Sequence, residues 1–410
     1  MTLQEKMGKL EKIAKVERLD RRKFLMGAGT AAALSALPAG AMAMVGANDR
    51  TDYVVEVAEE PEPSTPAHKI NFAVIGINHS HIYDMVRTVQ GVGGELVSVY
   101  AKEPDLVANF QKHFPHVKVA RSEAEILEDP SIQLIESSIL PVERAALGIR
   151  VMQHGKDYLS DKPGLTTLEQ LAEVRRVQAE TKRIYGILYG GRLESKAALK
   201  AGELVKAGAI GRVIQTLNLA PHRIGSGRPS WFWDPIKSGS ILCDLGSHQA
   251  DDFLFYTGST SAEVVSAQVA NIHHKDRPAF RDFGDAMLCG NGGAGYFRVD
   301  WFTPDALRAF GDERLFLLGT DGYIELRNDI DIAGRKGAEH LFLVNQKQVV
   351  YIDCNNLTLP FGAQLVSDVV NRTQTAQNQQ EAFLAAELTL KAEKIAKLRT
   401  FDEELPQPLP

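Results

Sequence analysis

Two stretches hold side chains whose types and spacing could do chemistry. Residues Ser238 to Asp252 read Ser-Gly-Ser-Ile-Leu-Cys-Asp-Leu-Gly-Ser-His-Gln-Ala-Asp-Asp. Small polar residues at its start suit the cap of a first helical turn. If the helix runs on, Asp244, His248, Asp251 and Asp252 fall at i, i+4, i+7 and i+8, which stacks all four on one face. A carboxylate stacked on an imidazole fixes the ring's tautomer and raises its pKa, as an acid/base pair requires. The same spacing also suits an exposed ion pair on a surface helix. The second stretch, Tyr158-Leu159-Ser160-Asp161-Lys162-Pro163, ends an apolar strand in an acid, a lysine and a proline.

Further candidates flank these two. His79-Ser80-His81 places two imidazoles where one ion can be shared, with Asp244 and His248 as conceivable partners. No third ligand stands in local spacing, so no metal centre is expected. Instead, one of the two histidines is expected to line the cleft, the other to bond backbone or phosphate. His222, Arg223, Trp231 and Trp233 precede the first stretch and combine rings with hydrogen-bonding groups, which suits the two kinds of face on a sugar. A packed loop over a sheet explains them equally well. Asp251 and Asp252 serve either to cap the helix end or to contact substrate.

Elements must position these groups. From Lys69, short apolar runs alternate with helical stretches: strands at Ile70–Ile75, Glu95–Tyr100, Val117–Ala120, Leu134–Ser138 and Tyr158–Ser160, with helices between them. Alternation of this kind predicts an α/β fold with a doubly wound parallel sheet of the Rossmann type, whose ligands sit at the carboxyl ends of the strands. The loop after the first strand reads Gly76-Ile77-Asn78-His79-Ser80-His81. Against the dinucleotide pattern GxGxxG only Gly76 remains, with Asn78 and His81 in the other glycine positions. After the second strand, Ala101 stands where an acid usually holds the adenosine ribose. Lys102 beside it either reads a 2′-phosphate or is simply solvated. From about residue 189, many short strands around few helices predict a second, α+β domain with a mostly antiparallel, open-faced sheet. An amphipathic helix over Glu381–Leu398 closes the chain.

Taken together, Asp161-Lys162-Pro163 and Asp244-x-Gly246-x-His248-x-x-Asp251 resemble the signature of the Gfo/Idh/MocA oxidoreductases. The resemblance runs from about Lys69 to the last helix, with Asp161 in place of the usual Glu of Glu-Lys-Pro. It implies an NAD(P)-dependent oxidoreductase acting on a sugar, cyclitol or related polyol, with NAD or NADP as cofactor, and a protein exported from the cytosol is expected to hold that cofactor tightly. It also implies that Lys162 hydrogen-bonds the reacting hydroxyl, that His248 is the general base and that Asp244 orients it. Cofactor contacts are expected at Gly76, Ile77, Asn78, His79, Ser80, Lys102, Asp161 and Lys162, and substrate contacts at His81, His222, Trp233 and Asp251. The open sheet face is expected to join copies into a dimer or tetramer. Two other readings compete. One is redox-assisted glycoside cleavage with a recycled NAD; the other is a sugar-binding or metal-dependent protein that has lost the dinucleotide.

The rest of the composition sets boundaries. A chain of 410 residues, 44% hydrophobic and 24% charged, is long enough for two domains. Asp20-Arg21-Arg22-Lys23-Phe24-Leu25 precedes a short, weakly apolar run and Ala41-Met42-Ala43, a pattern that resembles a twin-arginine signal over residues 1–43. That route generally moves folded proteins and implies a periplasmic or otherwise exported protein, with the export machinery as a partner. The apolar run is too short for a stable membrane span. Residues 1–43 carry a formal charge of +4 and the remainder −10. No long basic tract lies outside the N-terminus, so nucleic acid is not expected as a partner. A Pro- and Glu-rich stretch marks residues 44–68 as a linker, leaving 69–188 and 189–410 as the two domains. Cys243, Cys289 and Cys354 are too few and too scattered for a disulfide framework or zinc motif and are expected as buried free thiols.

Overall fold

Alternating apolar strands and amphipathic helices build the first sheet as expected. The computed structural model describes residues 54–58 and 67–400, so the twin-arginine signal lies outside the described residues. After β1 (Val54–Val57) come β2 (Ile70–Ile75), β3 (Gly94–Tyr100), β4 (Lys118–Val119), β5 (Leu134–Ser137), β6 (Asp157–Asp161) and β7 (Tyr185–Leu188). Strands β2 to β7 pair in parallel in the order β4-β3-β2-β5-β6-β7. The order reverses between β2 and β5, and a crevice for ligand opens at the strand ends there. Helices connect the strands. In the helix Ile82–Gln90, Ile82, Met85, Val86 and Val89 recur at i, i+3, i+4 and i+7, and all four are buried. Each such side chain taken from water stabilises the fold by roughly 1.5–3 kcal/mol.

The second sheet has ten strands. It comprises β8 (Val213–Pro221), β9 (Ala262–Ala270), β10 (Phe283–Gly290), β11 (Ala294–Asp300), β12 (Arg314–Gly319), β13 (Gly322–Asn328), β14 (Glu339–Asn345), β15 (Val349–Asp353), β16 (Lys397–Arg399) and β1. The order is β1-β15-β14-β13-β12-β8-β11-β10-β9-β16, mostly antiparallel. One face packs on helices, among them Gly246–Thr257 and the closing helix Gln379–Ile395. Val265, Met287, Leu318 and Tyr323 of this sheet stay exposed.

Three expectations need correction. Within the stretch read as a linker, Val54–Val57 add to the sheet as an edge strand parallel to β15, because the run Val-Val-Glu-Val can pair through its backbone despite its acidic neighbours. Residues 238–252 are not one helix: a turn at Leu245 separates Ile241–Asp244 from Gly246–Thr257. Gly246 opens the second helix. A Cβ there would come within 2.9 Å of Phe297, so only glycine lets the backbone pack this closely on β11. Of the three free thiols, Cys243 and Cys354 are buried but Cys289 is exposed.

Candidate active site

Strand β6 ends at Asp161, and Arg144 shapes the corner that follows. This arginine is fully buried on the helix Pro141–Gln153 and reaches four acceptors. Its Nη1 donates to the carbonyls of Asp161 (3.0 Å) and Pro163 (3.1 Å), its Nε to the Ile139 carbonyl (2.8 Å), and its Nη2 to Asp161 Oδ2 (3.0 Å). Asp161 also accepts from two imidazoles: His79 Nδ1 and His81 Nδ1 each stand 2.9 Å from one of its oxygens. Burial alone would push this carboxyl up, but Arg144, His81 and His79 outweigh it and hold it well below the usual carboxylate range. Since Asp161 is ionised, both rings donate through Nδ1. Burial keeps His79 neutral at ordinary pH despite the carboxylate beside it. The third ligand that local spacing lacked is thus supplied from 82 residues downstream of His79.

Lys162 turns the other way, into a cavity of about 90 Å³ that His79, His81, His222, Asp244 and His248 also line. Its ammonium donates to Asp244 Oδ1 at 3.0 Å. The proposed pairing of Asp244 with His248 is therefore replaced: Asp244 is the counter-ion of Lys162. His248 Nδ1 accepts the backbone N–H of Gly191 at 3.2 Å, so the ring proton resides on Nε2. Burial, then Lys162, His222 and His81, hold its pKa well below the ordinary histidine value. His248 thus enters the resting site as a neutral hydrogen-bond donor. His222 donates Nδ1–H to the Ala220 carbonyl, and burial and Lys162 push its pKa down to about 4.

Two expected substrate contacts lie elsewhere. Asp251 is buried in a bidentate pair with Arg192 (2.6 and 3.1 Å), which is further held over Phe255. Trp233 packs on Phe280 and His274 under Arg277. Trp231 and Trp301 line the cavity in its place, with Trp231 edge-on to His79 and Trp301 edge-on to His222.

At the end of β2 the loop keeps what a dinucleotide needs from the backbone. Gly76 has φ +81°, and a Cβ there would stand 2.5 Å from Ile139 Cβ, so no other residue fits. Ser138 Oγ donates to the His79 carbonyl and accepts the His79 N–H, which braces the turn. The helix Ile82–Gln90 begins at His81 without a side-chain cap, and the amides of Ile82, Tyr83 and Asp84 donate to the carbonyls of His79, Ser80 and His81. Beside Gly76 a small hollow is lined by Glu103, Glu123 and Glu143. Glu103, missed by the sequence reading, lines this hollow two residues after Ala101 and accepts from Asn78 Nδ2 at 3.1 Å. Lys102 is largely exposed and pairs with Glu143 at 3.4 Å.

This is a two-sheet protein of the dinucleotide-fold oxidoreductase class, with a lysine–carboxylate pair in the crevice at the strand ends. Residues 198–325 match the GFO/IDH/MocA C-terminal domain. A crystal structure from Erwinia carotovora atroseptica, assigned as an oxidoreductase, is 44% identical with a TM-score of 0.79, over 81% of this chain and all of that one. The chain belongs to the Gfo/Idh/MocA oxidoreductase family. It is also similar to 1,5-anhydro-D-fructose reductase of Ensifer adhaerens, 25% identical over 189 residues, 44% of this chain and 55% of that protein. The match thus spans about half the length of that curated relative. A levoglucosan dehydrogenase solved with NADH and levoglucosan shares the fold, at 15% identity, with a TM-score of 0.66 over 80% of this chain and 98% of that one.

Proposed function

We propose that this chain is an NAD(P)-dependent oxidoreductase of a sugar, cyclitol or related polyol. The Lys162–Asp244 pair carries the reading, since it opens onto the cavity at the end of β6 beside the Gly76 turn. The residues fit a dinucleotide. The Gly76 turn would take the pyrophosphate, and Glu103 would take the ribose hydroxyls. A bound nicotinamide supplies the hydride acceptor or donor. The chain's own groups handle the oxygen. Toward oxidation, Lys162 as the neutral amine takes the hydroxyl proton while alkoxide character develops and then holds the oxygen as the ammonium; toward reduction the ammonium returns that proton to the oxygen, and Asp244 keeps the side chain in place in both directions. Nε2–H of His248 gives a second hydrogen bond to substrate. Trp231, Trp301 and Phe310 offer apolar faces for C–H surfaces of a sugar ring. The carbohydrate names of the Ensifer reductase and the levoglucosan dehydrogenase support the same substrate class. The exposed apolar side chains on the ten-stranded sheet support a homo-oligomer.

Glu123 is paired with Arg150 and Glu143 with Lys102, but Glu103 accepts only from Asn78 among the described residues and would repel a 2′-phosphate, which favours NAD over NADP. Extensive dialysis followed by denaturation is expected to release close to one NAD(H) per chain. Retention on that scale needs an affinity near nanomolar, roughly −12 kcal/mol. Dialysed protein that holds no dinucleotide and binds none at millimolar concentration would overturn the assignment.

Export belongs to the same reading, because a cofactor acquired before the protein leaves the cytosol can travel with the folded chain. Arg21→Lys with Arg22→Lys is expected to leave precursor in the cytosol, read by fractionation and blotting. Normal accumulation of that variant outside the cytosol would remove the twin-arginine assignment.

A further inference from the structure

We propose that His79, His81 and Asp161 bind one borderline divalent cation, of the class of Zn²⁺ or Co²⁺. One nitrogen from each ring and one carboxylate oxygen all lie within 4.8 Å of one another. The ring centroids are 4.1 Å apart, with their planes at 68°, so the two imidazoles converge without stacking. Ligands bound to zinc at about 2.0–2.1 Å stand roughly 3.3 Å from one another in a tetrahedral shell. The present separation between each Nδ1 and its Asp161 oxygen is 2.9 Å, so opening by a few tenths of an ångström admits an ion. Two imidazoles and a carboxylate form a ligand set suited to first-row cations and unlike the all-oxygen shells of magnesium or calcium.

A hydrogen-bonded cluster without an ion also satisfies these three groups, and three observations favour the site. First, His81 stands at a glycine position of the dinucleotide loop and Asp161 at the glutamate position of the lysine signature. Two independent departures thus meet on one carboxylate. Second, the carboxylate is already oriented, with Arg144 3.0 Å from Oδ2 acting as the outer partner that fixes a metal ligand. Third, the side chains of His79 and His81 remain 22% and 44% exposed, and both face the cavity that holds Lys162 and His248. Three protein ligands with an open side toward substrate is the pattern of a reactive site, whereas structural metals are closed. There the ion would polarise a substrate oxygen.

The proposal does not rest on the nicotinamide reading, since metal content and dinucleotide content are measured separately on one preparation. The full chain is stripped with a chelator and titrated with Co²⁺, followed by visible absorption, and with Zn²⁺ by calorimetry. One ion per chain is expected. His81→Ala, at the more exposed position, is expected to weaken binding by about 10–100-fold or more with the fold intact by circular dichroism. His79→Ala should act in the same direction. His154→Ala, at an exposed helix end, should leave binding unchanged. Absence of saturable binding would overturn the site, as would equal binding by wild type and both loop variants, or an equal loss in His154→Ala.

Discussion

Turnover of Lys162→Ala is expected to fall by about 10²–10⁴-fold, the usual worth of a positioned acid/base group. The geometry makes the loss specific. Lys162 is nearly buried and its ammonium meets Asp244 at 3.0 Å, inside the cavity that would hold the reacting carbon. Removing it leaves a partly exposed carboxylate that water can serve, so the fold should survive. Lys162→Arg separates two roles. If the lysine only supplies positive charge, arginine should restore most of the rate. If it exchanges the proton, the guanidinium, which stays protonated, should not. The proposed role predicts no rescue, with kcat lowered far more than substrate affinity. Single-turnover formation of reduced nicotinamide, followed by absorbance, reads the step directly. A Lys162→Ala enzyme within a few-fold of wild type would sink the assignment.

The parts of the molecule that were legible in the sequence are those set by local chemistry. Runs such as Ile70–Ile75 are mostly apolar because both faces of a parallel strand are covered, and their alternation with helices announced the sheet. Asp161, Lys162, Asp244 and His248 could be picked out by type and do gather around one site. Their pairing could not be read. Spacing placed Asp244 on His248, yet the bonds actually made run from Lys162 to Asp244, from Gly191 to His248 and from Arg144 to Asp161. Each crosses at least 17 residues, so no helical or strand period encodes it. Arg144 did leave a trace, as a charge on the otherwise apolar face of Pro141, Ala145, Leu147 and Gly148. Asp251 misled for the opposite reason. It has the right spacing for the cavity but is spent on Arg192, whose own place follows from a chain turn after β7.

The last expectation concerns Glu136, a residue with no part in the proposed chemistry. It lies in the middle of β5, paired with Val74 of β2 and Leu159 of β6, and neither carboxyl oxygen has a hydrogen-bond partner. Burial pushes its pKa up from an ordinary value near 4.5 to about 8, so the folded protein keeps this carboxyl protonated where the unfolded chain does not. The sign follows from proton counts. Below the unfolded pKa both states hold the proton and the group is indifferent to pH. Between there and about 8 the folded state holds more, so stability falls as pH rises, by about 1.4 kcal/mol per unit for this group alone. Above the folded value the loss levels off, at roughly 5 kcal/mol at most. Glu136→Gln keeps the shape and removes the titration. Denaturant unfolding of both proteins from pH 5 to pH 8 cancels the other titrating groups in the difference. The two stabilities should diverge steadily across that range, in favour of the glutamine variant toward pH 8. Parallel curves would mean that Glu136 is ionised in the folded protein, with a partner reached by water or by movement of β5.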